Sequence, residues 1–409
     1  MPWQAPGVKP NRTWVYDPNP AVLRARWERL IKAPVDDKAV LFKESDARKI
    51  DSVVQPIAGL AAHTGTIKDE SGPCPDPVRV AYRSFDRQWV IPDTRVQERP
   101  RPELWQVASN HQVFAVEQHA HPIQSGPGLV FAAYVPDMDH FKGSAGGRVL
   151  PLYRDRAAGI SNLAPDLIRV LSQRLGLPVT APDVLAYIAA VTAHSGYTQR
   201  FAENLRTPGV RVPLTADPEL WAQAVRIGKR VVWLHTYGER FADPTEGRPA
   251  GPPKPDPSQR AKVHVAIPGT ADEMPDDISY DAETLTLKVG AGRIAPVRPE
   301  VWAYEVSGMK VVKKWFGYRK KKPAGKKTSP LDHIHTEEWP AEFTTELLQL
   351  LHVLTLCVEL EPEQADLLEQ ICNGPLVTVA DLQQANVFPV PASARKALTT
   401  ESSEAPTLL

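Results

Sequence analysis

A chain of 409 residues with 42% apolar and 23% charged side chains has the make-up of an ordinary globular protein, long enough for two compact units and a sizeable core. Its 41 prolines, about twice the usual share, argue against long uninterrupted helices and for short elements joined by ordered loops. Lys+Arg and Asp+Glu balance at 48 each, so no polyanionic partner is implied by the total, but none is excluded if one face is strongly basic.

Three scattered cysteines, Cys74, Cys357 and Cys372, offer neither a disulfide framework nor a zinc site and fit a reducing compartment. Residues 1–10 lack the apolar core of a signal peptide, and no stretch approaches the roughly 18 apolar residues of a membrane span. A cytoplasmic protein without membrane partners is expected.

In chain order, Asn19 caps and Pro20 opens a helix over 19–32, with Leu23, Trp27, Leu30 and Ile31 on one face. Lys68 to Pro77 reads as a loop. Val78 to Ile91 has strand character, alternating through Val78, Val80 and Tyr82 and then Phe85, Trp89 and Ile91. The middle is helical. One stripe runs Leu167, Ile168, Leu171, Leu175 and closes at Gly176; a second helix opens at Asp183; Tyr197, Phe201 and Leu205 repeat up to Pro208; Asp217-Pro218 starts a fourth.

Asp243 to Lys262, proline-rich and aperiodic, reads as a linker or insertion. Strand patterning returns over Ile278 to Val306, in Leu285, Leu287, Val289 and again in Trp302, Tyr304, Val306. Pro340 starts a helix through Phe343, Leu347, Leu350 and Leu354, and Asn373-Gly374 ends the next one. From Ala392 the chain reads as a disordered tail. The expected class is α+β: an N-terminal arm (1–66), a mixed α/β recognition body (78–242), the linker (243–262), a C-terminal strand-plus-helix unit (263–391) and the tail (392–409).

Much enzymatic chemistry is missing. Asp17-Pro18-Asn19-Pro20-Ala21 lacks the aromatic of a base-amino methyltransferase motif and is better explained as a helix cap. Gly325-Lys326-Lys327-Thr328 is a basic loop, since the earlier glycine of a phosphate loop would fall at Lys320. No cofactor is implied. The rival to a binding role is a metal-dependent hydrolase using His119, His121 and Asp139, which lacks the contiguous His-x-His-x-Asp-His run of such enzymes.

Two segments carry chemistry. From Lys310 to Lys327 there are nine basic side chains and no acidic one: Lys310, Lys313, Lys314, Arg319, Lys320, Lys321, Lys322, Lys326 and Lys327. Met309, Val312 and Trp315/Phe316 would anchor a short helix there, leaving its lysines outward to neutralise phosphates. Arg79, Arg83 and Arg87, interleaved with Tyr82, Phe85 and Trp89, form a second set, arginine being the usual reader of guanine and a phosphate clamp. Solvated lysines and structural Arg–Asp pairs are the alternatives to a DNA contact.

Together these segments resemble the C-terminal specificity region of the type ISP restriction–modification enzymes and of related fused methyltransferase–endonucleases. The markers run from Tyr82-Arg83-Ser84-Phe85-Asp86-Arg87-Gln88-Trp89, like a Tyr-Arg-Pro-Phe-Asp-x-Arg-Trp pattern shifted by one at the arginine, through Pro151-Leu152-Tyr153, Tyr187-Ile188, Ser195-Gly196-Tyr197, Arg211-Val212-Pro213-Leu214 and Leu234-His235 to Tyr304-Glu305-Val306-Ser307-Gly308, Trp315 and Arg319. The resemblance covers most of residues 10–372, with Ser84 in place of the usual proline. It implies a double-stranded DNA partner and a methyltransferase, helicase or nuclease part supplied by another subunit or by an upstream part of the same enzyme. A protein–protein adaptor that has lost its hold on DNA is the third reading.

Overall fold

A computed structural model describes residues 1–142 and 146–398. Its ladders are antiparallel and short, and its helices are segregated from them, which makes the fold α+β. One four-stranded sheet holds Ala5–Pro6, Gly147–Pro151, Phe114–Gln118 and Val130–Ala132 in that spatial order, with Phe114–Gln118 buried throughout. A second holds Lys262–Val265, Gly292–Ala295, Thr286–Val289 and Ile278–Asp281. A three-stranded sheet joins Tyr16–Asp17 to the hairpin Val78–Arg83 and Asp86–Val90.

The helical side packs Ala181–Thr192 on Pro218–His235, with Ala341–Asn373 across both. Gly228 permits the closest approach: a Cβ there would meet Ala186 O at 1.6 Å. Tyr187 stacks on Trp221 with centroids 4.5 Å apart, and its hydroxyl donates to Pro213 O at 2.7 Å. The main core is continuous from Trp3 to Ile371, and a smaller cluster gathers Val170, Val377, Leu382 and Val387.

Local signals set many element ends as expected. Asn19 Oδ1 accepts from Ala21 N, Asp217 Oδ1 accepts from Glu219 N and Leu220 N, and Gly176 ends its helix at φ +67. Elsewhere the pattern is overridden. The strand expected over 78–91 breaks at Ser84 and Phe85 (φ +61) into a hairpin, because Asp86–Val90 must return to pair with Val78–Arg83. The helix expected to open at Asp183 starts at Ala181, where Thr180 caps and Asp183 reciprocates in a capping box. The alternation Trp302, Tyr304, Val306 is not one strand. Pro299 opens the helix Pro299–Ala303, and Trp302 stacks on Tyr280 with centroids 5.8 Å apart.

The largest departure is at the C-terminal side. The two helices expected there are one of 33 residues, Ala341–Asn373, with Pro362 inside it. Proline removes one backbone donor from the ladder, but Leu350, Leu351, Leu354 and Leu360 on one side and Leu367, Leu368 and Ile371 on the other are buried and hold both halves to the core. Contrary to expectation this helix is long and apolar enough to cross a membrane, yet most of that window is buried within the protein, as in a core helix. The segment 243–262 is tied down by Trp233 Nε1 donating to Pro249 O and by the His352 ring against Ala261 O. Of the tail expected to be disordered, residues 399–409 lie outside the described residues, whereas Ala392–Arg395 forms a turn near which Arg154 donates to Ser393 O and Lys396 O.

Two histidines lie under the hairpin. The His235 ring meets Phe85 edge-on at 4.8 Å and accepts from Phe131 N; His140 donates Nδ1–H to Ala81 O at 3.1 Å. Burial pushes both imidazoles down to about 3. An unfolded histidine protonates near 6.5, so unfolding takes up protons between those values. Their contribution is therefore intact above about pH 6.5 and is lost as pH falls through the window. Denaturant midpoints are expected to drop from pH 7 to pH 4. His140→Asn, which keeps a donor for Ala81 O, should make that drop shallower; an unchanged slope would show that His140 takes no part.

Candidate nucleic-acid interface

The hairpin arginines do not face outward as free cations. Arg79 reaches Glu346 at 2.8 Å and lies over the Trp89 ring; Arg83 reaches Asp137 at 2.7 Å and lies over Tyr82; Arg87 reaches Glu239 at 3.0 Å and lies over Tyr237. Each is a bidentate-capable, stackable cation placed between an aromatic face and a carboxylate. Arg79 and Arg87 hold the hairpin to the helical side, and Arg83 holds it to the loop that follows strand Val130–Ala132. A DNA role for Arg79 and Arg87 would require breaking those pairs.

Arg319 is further removed. Its side chain is 0% exposed, sits 3.9 Å over the Trp315 ring, and meets Asp86 at 2.8 Å and Glu346 at 3.2 Å. Burial opposes its charge, but Asp86 and Glu346 outweigh burial and hold its pKa above the ordinary value. The expectation that Arg319 contacts DNA is corrected here: this cation is consumed inside the fold.

The lysines behave differently. Val311–Gly317 is a helix whose Val311, Val312, Trp315 and Phe316 are buried, while Met309 belongs to the short strand before it. Lys313 lies exposed over the Trp302 ring, and Lys314, half-buried, lies over Tyr318. Lys322, Lys326 and Lys327 are exposed, and among the described residues none of these five lysines forms a salt bridge. Lys310 is paired with Glu305 at 2.5 Å, Lys320 with Asp276 at 3.0 Å, and Lys321 donates to Asp272 O. Those last two, with Lys322 N donating to Asp276, pin the start of the lysine loop.

The loop's other end is fixed by Asp332, which accepts from Thr13, Thr328 N and Ser329 N. Loop, N-terminal arm and hairpin thereby enclose a cleft of about 450 Å3 lined by Lys9, Lys43, Lys314, Lys326 and Lys327, with Tyr82 and Tyr318. Of its four acids, Asp139 forms no salt bridge among the described residues, while three are engaged, Asp17 with Arg26 at 2.8 Å, Asp137 with Arg83 and Asp332 with the loop. Arg12 is spent as well, on Phe42 O and Arg48 O. What remains is five lysines against the single carboxylate of Asp139. Lys314 also borders a more open groove of about 510 Å3 with Lys142, Lys310 and Lys313, so one basic strip runs from the groove into the cleft.

Lys9, Lys43 and Lys142 are absent from the sequence-based set. They are isolated along the chain, and only pairings such as Thr13 with Asp332, 319 residues apart, bring them to the strip. The hydrolase constellation does not assemble. Among the described residues no three His, Cys, Asp or Glu group as metal ligands; His119 lies 3.7 Å from Glu117, and Asp139 N donates to Asp137.

Residues 1–350 match the model of the type ISP C-terminal specificity domain. The chain belongs to that family. Solved structures of similar fold include the DrdV–DNA complex (TM-score 0.59, 18% identity, 90% of this chain and 35% of that one). A nuclease-deletion mutant of the type ISP restriction–modification enzyme LlaGI with a DNA substrate mimic is similar at TM-score 0.53 and 16% identity, over 90% of this chain and 32% of that one. The ATP-dependent type ISP enzyme LlaBIII bound to DNA is similar at 0.57 and 14%, over 91% and 23%. This chain thus spans about a third or less of the length of those proteins, and the likeness is one of fold. No curated protein matches it.

The specificity-domain fold separates fastening cations from available ones, and mutation should separate them too. Arg319→Ala leaves Asp86 buried without its partner and is expected to cost ~3–5 kcal/mol. Trp315→Ala, which empties a core position, should cost a similar ~3–5 kcal/mol. Replacing Lys313 and Lys314 with Ala should leave the melting temperature nearly unchanged. A drop in melting temperature from the lysine pair comparable to that from Arg319→Ala would show the lysine face to be structural.

Proposed function

We propose that this specificity domain recognises double-stranded DNA within a type ISP restriction–modification system. It positions methyltransferase and nuclease parts that lie elsewhere, upstream in the same enzyme or on another subunit, in the cytoplasm. The domain itself does no covalent chemistry. The observation that carries this reading is the strip of lysines, free of carboxylate partners, running from the groove at Lys142 and Lys313 through Lys314 into the cleft at Lys326 and Lys327. Family membership supports it, as do neighbours of the same fold described as DNA complexes.

Lysines suit this task. An ammonium is a mobile point charge that neutralises phosphate without demanding one geometry, and each phosphate neutralised releases counterions. The groove and cleft lysines would fix the register on the duplex, and sequence would be read by neighbouring neutral side chains.

Affinity for duplex DNA should fall by orders of magnitude between roughly 50 and 200 mM salt. Replacing Lys326 and Lys327, or Lys313 and Lys314, with Ala should weaken binding to all sequences. The slope of log affinity against log salt should then shrink by about one unit for each phosphate that is no longer neutralised. Affinity that stays flat across that range would refute the reading and favour a protein–protein adaptor. The same preparation is expected to show no S-adenosylmethionine binding, nucleotide hydrolysis or DNA cleavage.

A further inference from the structure

The open groove is built by two loops fastened to one another. Val306 and Met309 pair across a two-residue turn, Ser307 (φ +48) and Gly308 (φ +84), both in the left-handed region that such tight hairpins need. Against it lies the 121–128 loop. Ser307 N donates to Ser125 O at 2.8 Å, Gln124 N donates to Ser307 Oγ at 3.2 Å, and Ser125 Oγ donates to Glu305. Gly126 is forced by the same approach, since a Cβ there would meet Glu305 O at 2.1 Å. From behind, Gln118 Nε2 donates to His121 O, and Thr198 Oγ1 to Gly126 O. The backbone under residue 124 is therefore held on every side.

The groove's side chains divide by what they can recognise. Ser307 is buried, with its hydroxyl engaged, and Gly308 has no side chain. Lys310 is paired with Glu305, Lys142 donates to Ser307 O, and Lys313 and Lys314 are the phosphate-seeking cations. Two groups remain. Gln124 is exposed, and its side-chain amide makes no hydrogen bond among the described residues; it lies over the turn, where a Cβ on Gly308 would be 3.3 Å from Oε1. Met309 is the half-exposed apolar side chain next to it.

From this geometry we infer that Gln124 is a specificity-determining residue that reads an adenine from the major groove, with Met309 against a thymine methyl. A glutamine amide offers one donor and one acceptor, which match adenine N6–H and N7, and an apolar side chain is the usual partner of the thymine methyl group. A reader must be preorganised and flanked by backbone contacts that set its register. The zipped loops supply the first condition and the lysines the second. The inference rests on the DNA-recognition reading and adds to it the residue and the base.

Binding-site selection from randomised duplexes, followed by titration of single-pair variants of the selected duplex, tests it. The wild-type chain should select a site containing an A·T pair at which Gln124→Ala loses roughly tenfold discrimination, with affinity for unrelated duplex unchanged. Gln124→Glu, which only accepts, should move the preference at that pair toward cytosine, whose N4 donates. Lys313→Ala with Lys314→Ala should weaken every duplex alike and leave the preference intact. If the wild type selects a site and both Gln124 variants select it with the same discrimination, the assignment of Gln124 is wrong while target recognition stands. A wild-type chain that binds no duplex, or binds every sequence equally, overturns both.

Discussion

A single guanidinium, sealed from solvent, ties together three parts of the chain that sequence order keeps far apart. Arg319, at the end of the lysine helix, reaches back to Asp86 in the hairpin and across to Glu346 on the long helix. Glu346 in turn holds Arg79 from the other hairpin strand. Buried charges are tolerated only when they are paired and hydrogen-bonded, and here the pairing is what makes hairpin, lysine helix and long helix dock in one arrangement. The docking aims the lysine helix: with Trp315 under Arg319 and Phe316 against Trp339, Lys313 and Lys314 can only lie on the other side.

The two cation types divide the work. Every arginine of the aromatic hairpin is paired with a carboxylate and stacked on a ring, uses for which a planar, always-charged fork is suited. The lysines of 313–327 are mostly exposed and, among the described residues, mostly without a carboxylate partner. A net charge of zero is compatible with a basic working face for this reason: many acids neutralise arginines in the interior, and the spare charge gathers where acids are already committed. Asp17, Asp137 and Asp332 illustrate this within the cleft itself, each bound to a neighbour within 3.0 Å.

How much of this the sequence discloses depends on distance along the chain. Caps and stops act within four residues, so Asn19, Asp217 and Gly176 could be read from spacing alone. Trp315 could be placed in the core by its three-residue spacing from Val312. The family was legible in short aromatic and basic pieces such as Tyr82 to Trp89. What could not be read were the pairings that decide which basic residues are free. Nothing local to Arg319 distinguishes it from Lys320; the difference is Asp86, 233 positions away. The hairpin turn at Phe85 and the survival of the helix through Pro362 were hidden for the same reason, since both are decided by distant packing against the local preference.

The arrangement also separates what must be rigid from what can vary. Fastening residues such as Asp86, Arg319, Glu346 and Tyr237 sit on strands and helices or at their ends, beneath the surface, where a change leaves a buried partner unmatched. The groove and the cleft are built from loop and turn residues whose backbone is fixed by main-chain hydrogen bonds, as at Ser125 with Ser307 and Ala324 with Gly317. The exposed side chains there, such as Gln124, Lys326 and Lys327, can be exchanged without disturbing the core, because no buried group depends on them. A surface of this kind can alter what it reads while keeping how it is held, which is the physical condition a target-recognition domain has to meet.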